Sequence, residues 1–422
     1  MCGSGDVLSM LRSRDGRKGW HGRIGWGKKA GMDCPVQDET AQAPARPDCM
    51  LAGNRLRVSG DGPEIKAMLI DLIDGARRSL RLYYYIFAND SSGRLVLARL
   101  IRAARRGVDV ILMVDAFGSV DVPVDFFNGL VKAGGRIGWF GSGWSTRYLI
   151  RNHQKMAIAD DESAIIGGFN IADAYFGIPG DDCWHDLGIR VDGPQVAILV
   201  RWYILLWRWV SSPRPRFRSL RALVREWRDG GGAFRWLVGG PTTRLSPWAR
   251  TVREDFERAR HVDIVAAYFS PGNGMLACLR HVARRGSVRI ILPSRSDNAA
   301  TVAASRLLYG PLLRRDAQIY EYQPGRLHMK LIVADDAVYI GSANFDMRSL
   351  FLNLEIMLRV EDADFARWMR RFIDRRAEDS EPISCEKHRA WRTPLRLLKG
   401  WISYFLVGVL DYKITRRLNF RE

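Results

Sequence analysis

Two stretches of the chain carry side chains suited to phosphate chemistry. In "NHQKMAIADDESAIIGGFN", Asn152 to Asn170, His153 and Lys155 stand one residue apart, Asp160 follows, and a Gly-Gly-x-Asn closes the run at Asn170. In "LHMKLIVADDAVYIGSANF", His328, Lys330 and Asp335 repeat at the same offsets, and Gly341 and Asn344 follow. A phosphodiester is anionic and repels anionic nucleophiles. Cleaving one calls for positive donors around the non-bridging oxygens, a nucleophile, and an acid for the leaving alkoxide. Lys155 and Lys330 supply compact positive charge, and Asn170 and Asn344 supply neutral donors. Two histidines can divide the covalent work, one attacking phosphorus and the other moving the proton. A single His-x-Lys on a strand is usually a surface pair; two copies inside a repeated pattern are not. Asp160 and Asp335 either join the catalytic set or close the turn after a strand.

Each imidazole also needs an acceptor on its other ring nitrogen. Downstream of His153, "CWHDLGIRVDG" offers Asp186, with Asp173, Asp181 and Asp182 close enough to replace it. Downstream of His328, "RSLFLNLEIML" offers Glu355 at a comparable distance. The expectation is that each acid serves the histidine of its own half.

The elements that would position these groups also come in two copies. "SLRLYYYIFANDSSGRLVLARLIRAARRGVDVILMVD" and "HVDIVAAYFSPGNGMLACLRHVARRGSVRIILPS" each read as a strand, a turn, an amphipathic helix ending in Arg-Arg-Gly, and a second strand. Gly107 and Gly286 fall where helix C-cap glycines belong. They lie 179 residues apart and the histidines 175, so the chain is a tandem duplication. Strands alternating with helices imply an α/β protein, each half a mixed β-sheet flanked by helices. "KMAIAD" and "KLIVAD" read as strands, with "AIIGG" and "VYIGS" as partners after tight turns. One histidine per half puts the active site between the halves.

Composition sets the outer bounds. The 422 residues suffice for two domains with real cores, and the formal net charge of +19 suits an anionic partner. Cys2, Cys34, Cys49, Cys183, Cys278 and Cys385 are scattered with no C-x-x-C pair, which argues against a zinc site or a disulfide framework. The expected domains are a disordered basic segment over 1–50, a first catalytic domain over 51–198, an amphipathic aromatic and Arg-rich connector over 199–240, a second catalytic domain over 241–380, and a C-terminal interfacial tail over 381–422. No apolar h-region marks a signal peptide in 1–50, and "MLAGNRLRVSGDG" from Met50 reads as a domain start. The longest late apolar run, Trp401 to Leu410, is about half the ~20 residues of a spanning helix.

The motifs resemble those of the phospholipase D superfamily, and within it the bacterial cardiolipin synthases. "HQKMAIADDESAIIGGFNIADAYFG" is similar to their first motif and "HMKLIVADDAVYIGSANFDMRSLFLNLE" to their second, and the tail Asn344, Asp346, Arg348, Ser349, Asn353, Glu355 is particularly similar. The likeness runs from about residue 51 to 375. It implies transphosphatidylation through a phosphohistidine with no metal or other cofactor, His153 as nucleophile, and motif aspartates that are mainly structural. It also implies an anionic phospholipid substrate and a peripheral place on the cytoplasmic side of the inner membrane, without nucleic acid as partner. Trp184-His185-Asp186 stands where members of the family usually have Trp-Arg-Asp, which bears on substrate preference. Family members often carry N-terminal spanning helices, which this chain lacks, so it looks like the subtype without them.

Two segments read as membrane contacts. Arg201 to Trp227 and Trp391 to Phe420 interleave aromatic residues with arginines and lysines, as interfacial helices do. The other reading of the first segment is an apolar face packed on the catalytic halves. Rival functions are a nuclease or other phosphodiesterase of the same superfamily, a phospholipase D that transfers to water, and a lipid-binding scaffold with a dead site. Intact His and Lys in both halves weigh against the last.

Overall fold

The structure, a computed structural model, describes residues 49–123, 125–141, 150–177, 183–242 and 245–404. The basic segment 1–48, Asp181, Asp182 and the tail beyond Tyr404 lie outside the described residues.

Two eight-stranded mixed sheets carry the duplication. The first runs Cys49–Leu51, Asn54–Ser59, Gly188–Asp192, Ser163–Gly167, Met156–Ala159, Ser79–Tyr84, Asp109–Asp115, Arg136–Phe140. The second runs Phe234–Gly239, Glu355–Glu361, Ala337–Gly341, Lys330–Ala334, His261–Ala266, Ser287–Pro293, Gln318–Tyr322, Ser380–Pro382. Leaving out Cys49–Leu51 and Ser380–Pro382, strand order and direction correspond one to one. Four neighbouring pairs are antiparallel and the last two parallel in each sheet. The first parallel pair of each sheet is bridged by an amphipathic helix, Ser91–Arg105 in one and Asn273–Arg285 in the other; the second is bridged by Asn128–Lys132 and Ala299–Leu313. Asp90 caps the first of these by accepting the Gly93 N–H at 2.8 Å. Gly107, at φ +90°, follows that helix in the left-handed conformation. Gly286 does not adopt it; a Cβ there would sit 1.8 Å from the Arg260 carbonyl oxygen, so close backbone approach fixes this glycine instead.

The sheets share one core. Met156, Ile166 and Ile189 of the first pack in the same cluster as Leu331, Ile340 and Ile356 of the second. Helix Val196–Val210 inserts into it: Trp202 and Tyr203 are fully buried, the Trp202 indole donates to Gln154 Oε1 at 3.0 Å, and the Tyr203 hydroxyl donates to the Leu82 and Ile111 carbonyls. The aromatic face of Arg201–Trp227 is thus core packing: Trp202 and Tyr203 bond into the first half, and the Trp227 indole donates to the Trp236 carbonyl of the second sheet at 2.7 Å. The connector is also shorter than 199–240, since Phe234–Gly239 pairs with Glu355–Glu361 as a strand of the second sheet. No helix among the described residues is long and apolar enough to cross a membrane.

Candidate active site

Both motif strands sit mid-sheet, hydrogen-bonded on each side, which fixes the backbone leading into them. Tight turns follow, with Asp160, Asp161 and Asp335 at positive φ. The Asp160 carboxylate accepts the N–H groups of Arg77, Arg78 and Ser79 at 2.7–2.9 Å. Burial raises its pKa a little, but these backbone donors outweigh that and hold it low. The Asp335 carboxylate likewise accepts the N–H groups of Arg260 and His261 in the second half. The two motif aspartates thus tie the turn to the neighbouring strand, and their carboxylates are spent on backbone donors.

The other motif residues converge where the halves meet. The His153 N–H donates to the Leu354 carbonyl at 2.8 Å, and the His328 N–H donates to the His185 carbonyl at 2.8 Å. In each case the accepting residue immediately precedes the candidate acid of the opposite half. These backbone bonds carry the acids across the interface. Asp186 Oδ2 lies 2.6 Å from His328 Nδ1, and Glu355 Oε1 lies 3.5 Å from His153 Nδ1. The pairing expected within each half is therefore exchanged between halves, and each imidazole is oriented by the other half's carboxylate. Asp173 takes no part: it caps Ser91 and Ser92 by accepting their N–H groups.

The two carboxylates are held differently. Asp186 keeps its other oxygen on the Leu187 N–H at 2.7 Å. Gly168 stands where the second motif has Ser342, and a Cβ at Gly168 would come within 2.4 Å of Asp186 Oδ1. Glu355 receives the hydroxyls of Ser342 at 2.5 Å and Ser349 at 2.8 Å. Asn353 Nδ2 stands 3.3 Å from His153 Nδ1, sharing that nitrogen with Glu355. Ser349 and Asn353 belong to the motif tail named in the sequence, where they were given no role, and Ser342 was not singled out although it lies in the quoted second motif.

Lys155 and Lys330 are almost wholly buried. Lys155 Nζ donates to the His153 carbonyl at 2.6 Å, Lys330 Nζ donates to the His328 carbonyl, and Lys330 Nζ lies 2.8 Å from His328 Nδ1. Burial pushes Lys330 down to about 7, with Asp186 opposing and Lys155 adding to the shift. Lys155 is lowered by burial as well, against the pull of Glu355 and Asp186. Burial raises Glu355, while Lys155 and the two serine hydroxyls restrain it. Burial drives His153 well below the ordinary range, and Lys155, Arg151, Arg348 and Lys330 press it further. Burial and Lys330 bring His328 to about 4, with Asp186 resisting. Burial and the neighbouring cations thus favour the neutral form of both imidazoles, inside a cluster of lysine and arginine side chains that an anion would complete.

Aromatic rings wall the pair. Tyr85 packs on His153 at 4.5 Å between centroids, and Trp184 and Tyr175 pack on His328 at 5.1 and 5.4 Å. Arg151 and Arg326, each two residues before its histidine, lie over Phe117 and Trp184. That repeated Arg-x-His was a legible signal that sequence reading missed. Asn170 and Asn344 are buried in matching positions. Asn170 Oδ1 accepts the Ile86 N–H at 3.0 Å, whereas Asn344 Oδ1 has no partner among the described residues. His153 Nε2 is buried and likewise without a partner among them. His185 is half-buried against Tyr322, whose hydroxyl stands 2.9 Å from its Nδ1.

A duplicated mixed α/β fold with one His–Lys–Asn set from each half, joined over one buried site, defines the phospholipase D class of enzymes. Comparison with known proteins narrows this. Residues 69–203 and 253–377 match the family described as "Cardiolipin synthase, PLD-like domain", and the chain belongs to that family. It is 32% identical over 361 residues to cardiolipin synthase A of Pseudomonas putida strain W619, covering 83% of this chain and 74% of that one. It is 31% identical to cardiolipin synthase A of Pseudomonas fluorescens strain Pf-5, covering 80% and 72%. Among solved structures, the phosphatidylserine synthase of Haemophilus influenzae Rd KW20 superposes with a TM-score of 0.67 over 86% of this chain and 95% of that one, at 13% identity, a likeness of fold.

Proposed function

We propose that this enzyme is a cardiolipin synthase that transfers a phosphatidyl group from one phosphatidylglycerol to a hydroxyl of a second, releasing glycerol. The observation that carries the reading is the convergence of both His–Lys–Asn sets on one buried, cationic site. His153 Nε2 attacks phosphorus and the P–O bond to the glycerol headgroup breaks. His328 gives its proton to the departing alkoxide. The hydroxyl of the second phosphatidylglycerol then loses its proton to His328 and attacks the phosphohistidine, returning His153 to its starting state.

The unequal carboxylates support this division of roles. Asp186 at 2.6 Å stabilises His328 as an imidazolium once a phosphate anion is present, as an acid–base group requires. Glu355 is engaged with two serines and stands farther from His153, which leaves that ring neutral with Nε2 free to attack. Lys155, Lys330, Asn170 and Asn344 receive the non-bridging oxygens.

Contact with the membrane is assigned to helix Pro394–Tyr404, whose Leu395, Leu398, Trp401 and Ile402 are exposed beside Arg392 and Arg396. Exposed Phe117 and Val120 add an apolar rim near Arg151.

The test is incubation of purified protein with isotope-labelled phosphatidylglycerol vesicles, products being identified by mass. Cardiolipin and free glycerol in equal amounts are expected. Phosphatidic acid as the main product would replace transfer with hydrolysis, and turnover of nucleic acid with inert lipid would overturn the reading.

A further inference from the structure

A groove of about 1090 Å³, lined by neither His153 nor His328, lies between helix Ala299–Leu313 and helices Cys385–Trp391 and Pro394–Tyr404. Ligand clefts commonly enclose about 300–1,000 Å³, so this one has room for a headgroup and the first part of its chains. Its lining has two characters. Leu307, Leu397, Trp401 and Tyr404 give it an apolar wall. Arg280, Arg314, Arg392 and Arg396 give it four guanidinium groups, none within ion-pair distance of a carboxylate among the described residues. Arg306, also in the groove, is by contrast matched by Glu321 at 2.7 Å. His388 lines the same groove, is 8% exposed, and its buried Nδ1 has no partner among the described residues. Burial lowers its pKa, and the charges of Arg392 and Arg314 lower it further, which places both cations at its side.

One part of the groove's lining is electrostatically linked to the site already described. It includes Ser294 and Arg295 at the end of strand Ser287–Pro293. The charge of Arg295 bears on His185, whose neighbour Asp186 contacts His328.

We propose that this groove binds one anionic phospholipid that is not the reacting molecule, its phosphate among Arg280, Arg314, Arg392 and Arg396 and its acyl chains along Leu307, Leu397, Trp401 and Tyr404. Uncompensated arginines against an apolar wall match an anionic amphiphile better than a soluble phosphate, which would leave that wall wet. Such a lipid holds the second half on an anionic bilayer. The proposal rests on the phosphatidyl-transfer reading only for the kind of lipid at hand.

The test uses the full chain on phosphatidylcholine vesicles containing a trace of phosphatidylglycerol with a photoactivatable acyl chain. Labelled peptides from Ala299–Leu313 and Pro394–Tyr404 are expected. Losing two charge-assisted contacts in Arg314→Gln/Arg396→Gln should cut that labelling by about tenfold or more. A charge-matched control, Arg102→Gln/Arg105→Gln on the exposed face of helix Ser91–Arg105, should leave it unchanged. Dioleoyl-phosphatidylglycerol should compete and glycerol phosphate should not. Equal labelling by a phosphatidylcholine probe, equal loss in the control variant, or competition by glycerol phosphate would each overturn the proposal. Labelling needs no turnover, so a protein that labels here yet makes no cardiolipin would overturn the reaction and leave the groove standing.

Discussion

Replacing Asp186 by Asn tests the exchange of acids between halves. In the wild type, Oδ2 of the buried carboxylate faces His328 Nδ1 at 2.6 Å, while Oδ1 accepts the Leu187 N–H at 2.7 Å. An Asn would keep its carbonyl on Leu187 and turn its NH2 toward His328. The bond that fixes the ring's tautomer would then reverse its sense. A hydrogen bond to a charged group is worth about 1.5–3 kcal/mol, so kcat should fall about 10- to 150-fold. The stronger readout is spectroscopic. With histidine ring nitrogens isotope-labelled, Asp186→Asn should shift the His328 resonances and lower its pKa further, because Asp186 raises it in the wild type. His153 should stay as it was. Glu355→Gln should do the converse. If Asp186→Asn moves the His153 signals and spares His328, each acid serves its own half and the geometry argued above is wrong.

Further expectations concern the supporting groups. Ser342→Ala removes a donor from Glu355; its pKa should rise further, the acidic limb of the kcat profile should move up in pH, and kcat should drop about fivefold for roughly 1 kcal/mol lost. Asp160→Ala takes an acceptor from three backbone N–H groups and puts Ala at φ +55°, so denaturant titration should show about 1–3 kcal/mol of lost stability while kcat of the folded protein stays within about twofold; a kcat collapse at unchanged stability would return Asp160 to the catalytic set. Binding of vanadate should take up protons, since an anion raises the pKa of Lys330, which burial lowers to about 7, and those of the two histidines. Affinity should therefore fall as pH climbs from about 7 toward the raised pKa, and titration calorimetry near pH 8 should depend on the buffer's ionisation heat; no dependence would mean the lysines are already fully charged.

Much of this was legible in the chain. The repeated His-x-Lys, the Asp turns and the Arg-Arg-Gly helix ends gave the duplication, because each is a local pattern with a local cause. The two sheets then match strand for strand. What the chain hid was non-local. Asp186 and His328 are separated by 142 residues, and nothing in the spacing of either motif says which half an acid will face. Only the backbone bonds of His153 to Leu354 and of His328 to His185 decide it. Arg201–Trp227 misleads for a related reason: aromatic residues between arginines suit a membrane surface and a shared core equally, and the choice depends on distant partners such as Gln154 and Ile111. Gly286 was placed correctly and for the wrong cause, since its need comes from Arg260 rather than from a left-handed turn.

The central claim is that one histidine from each half acts on a single phosphorus, with His153 carrying the phosphatidyl group. The most direct measurement is rapid acid-free quenching of the enzyme during turnover of phosphatidylglycerol in EDTA, followed by peptide mass spectrometry under alkaline conditions that preserve phosphohistidine. The account predicts a base-stable, acid-labile phosphatidyl adduct on His153, formed at the rate of turnover and absent from His153→Ala. An adduct on His328 would exchange the two roles. Full turnover with no histidine adduct, or turnover abolished by EDTA and restored by a divalent ion, would contradict the account.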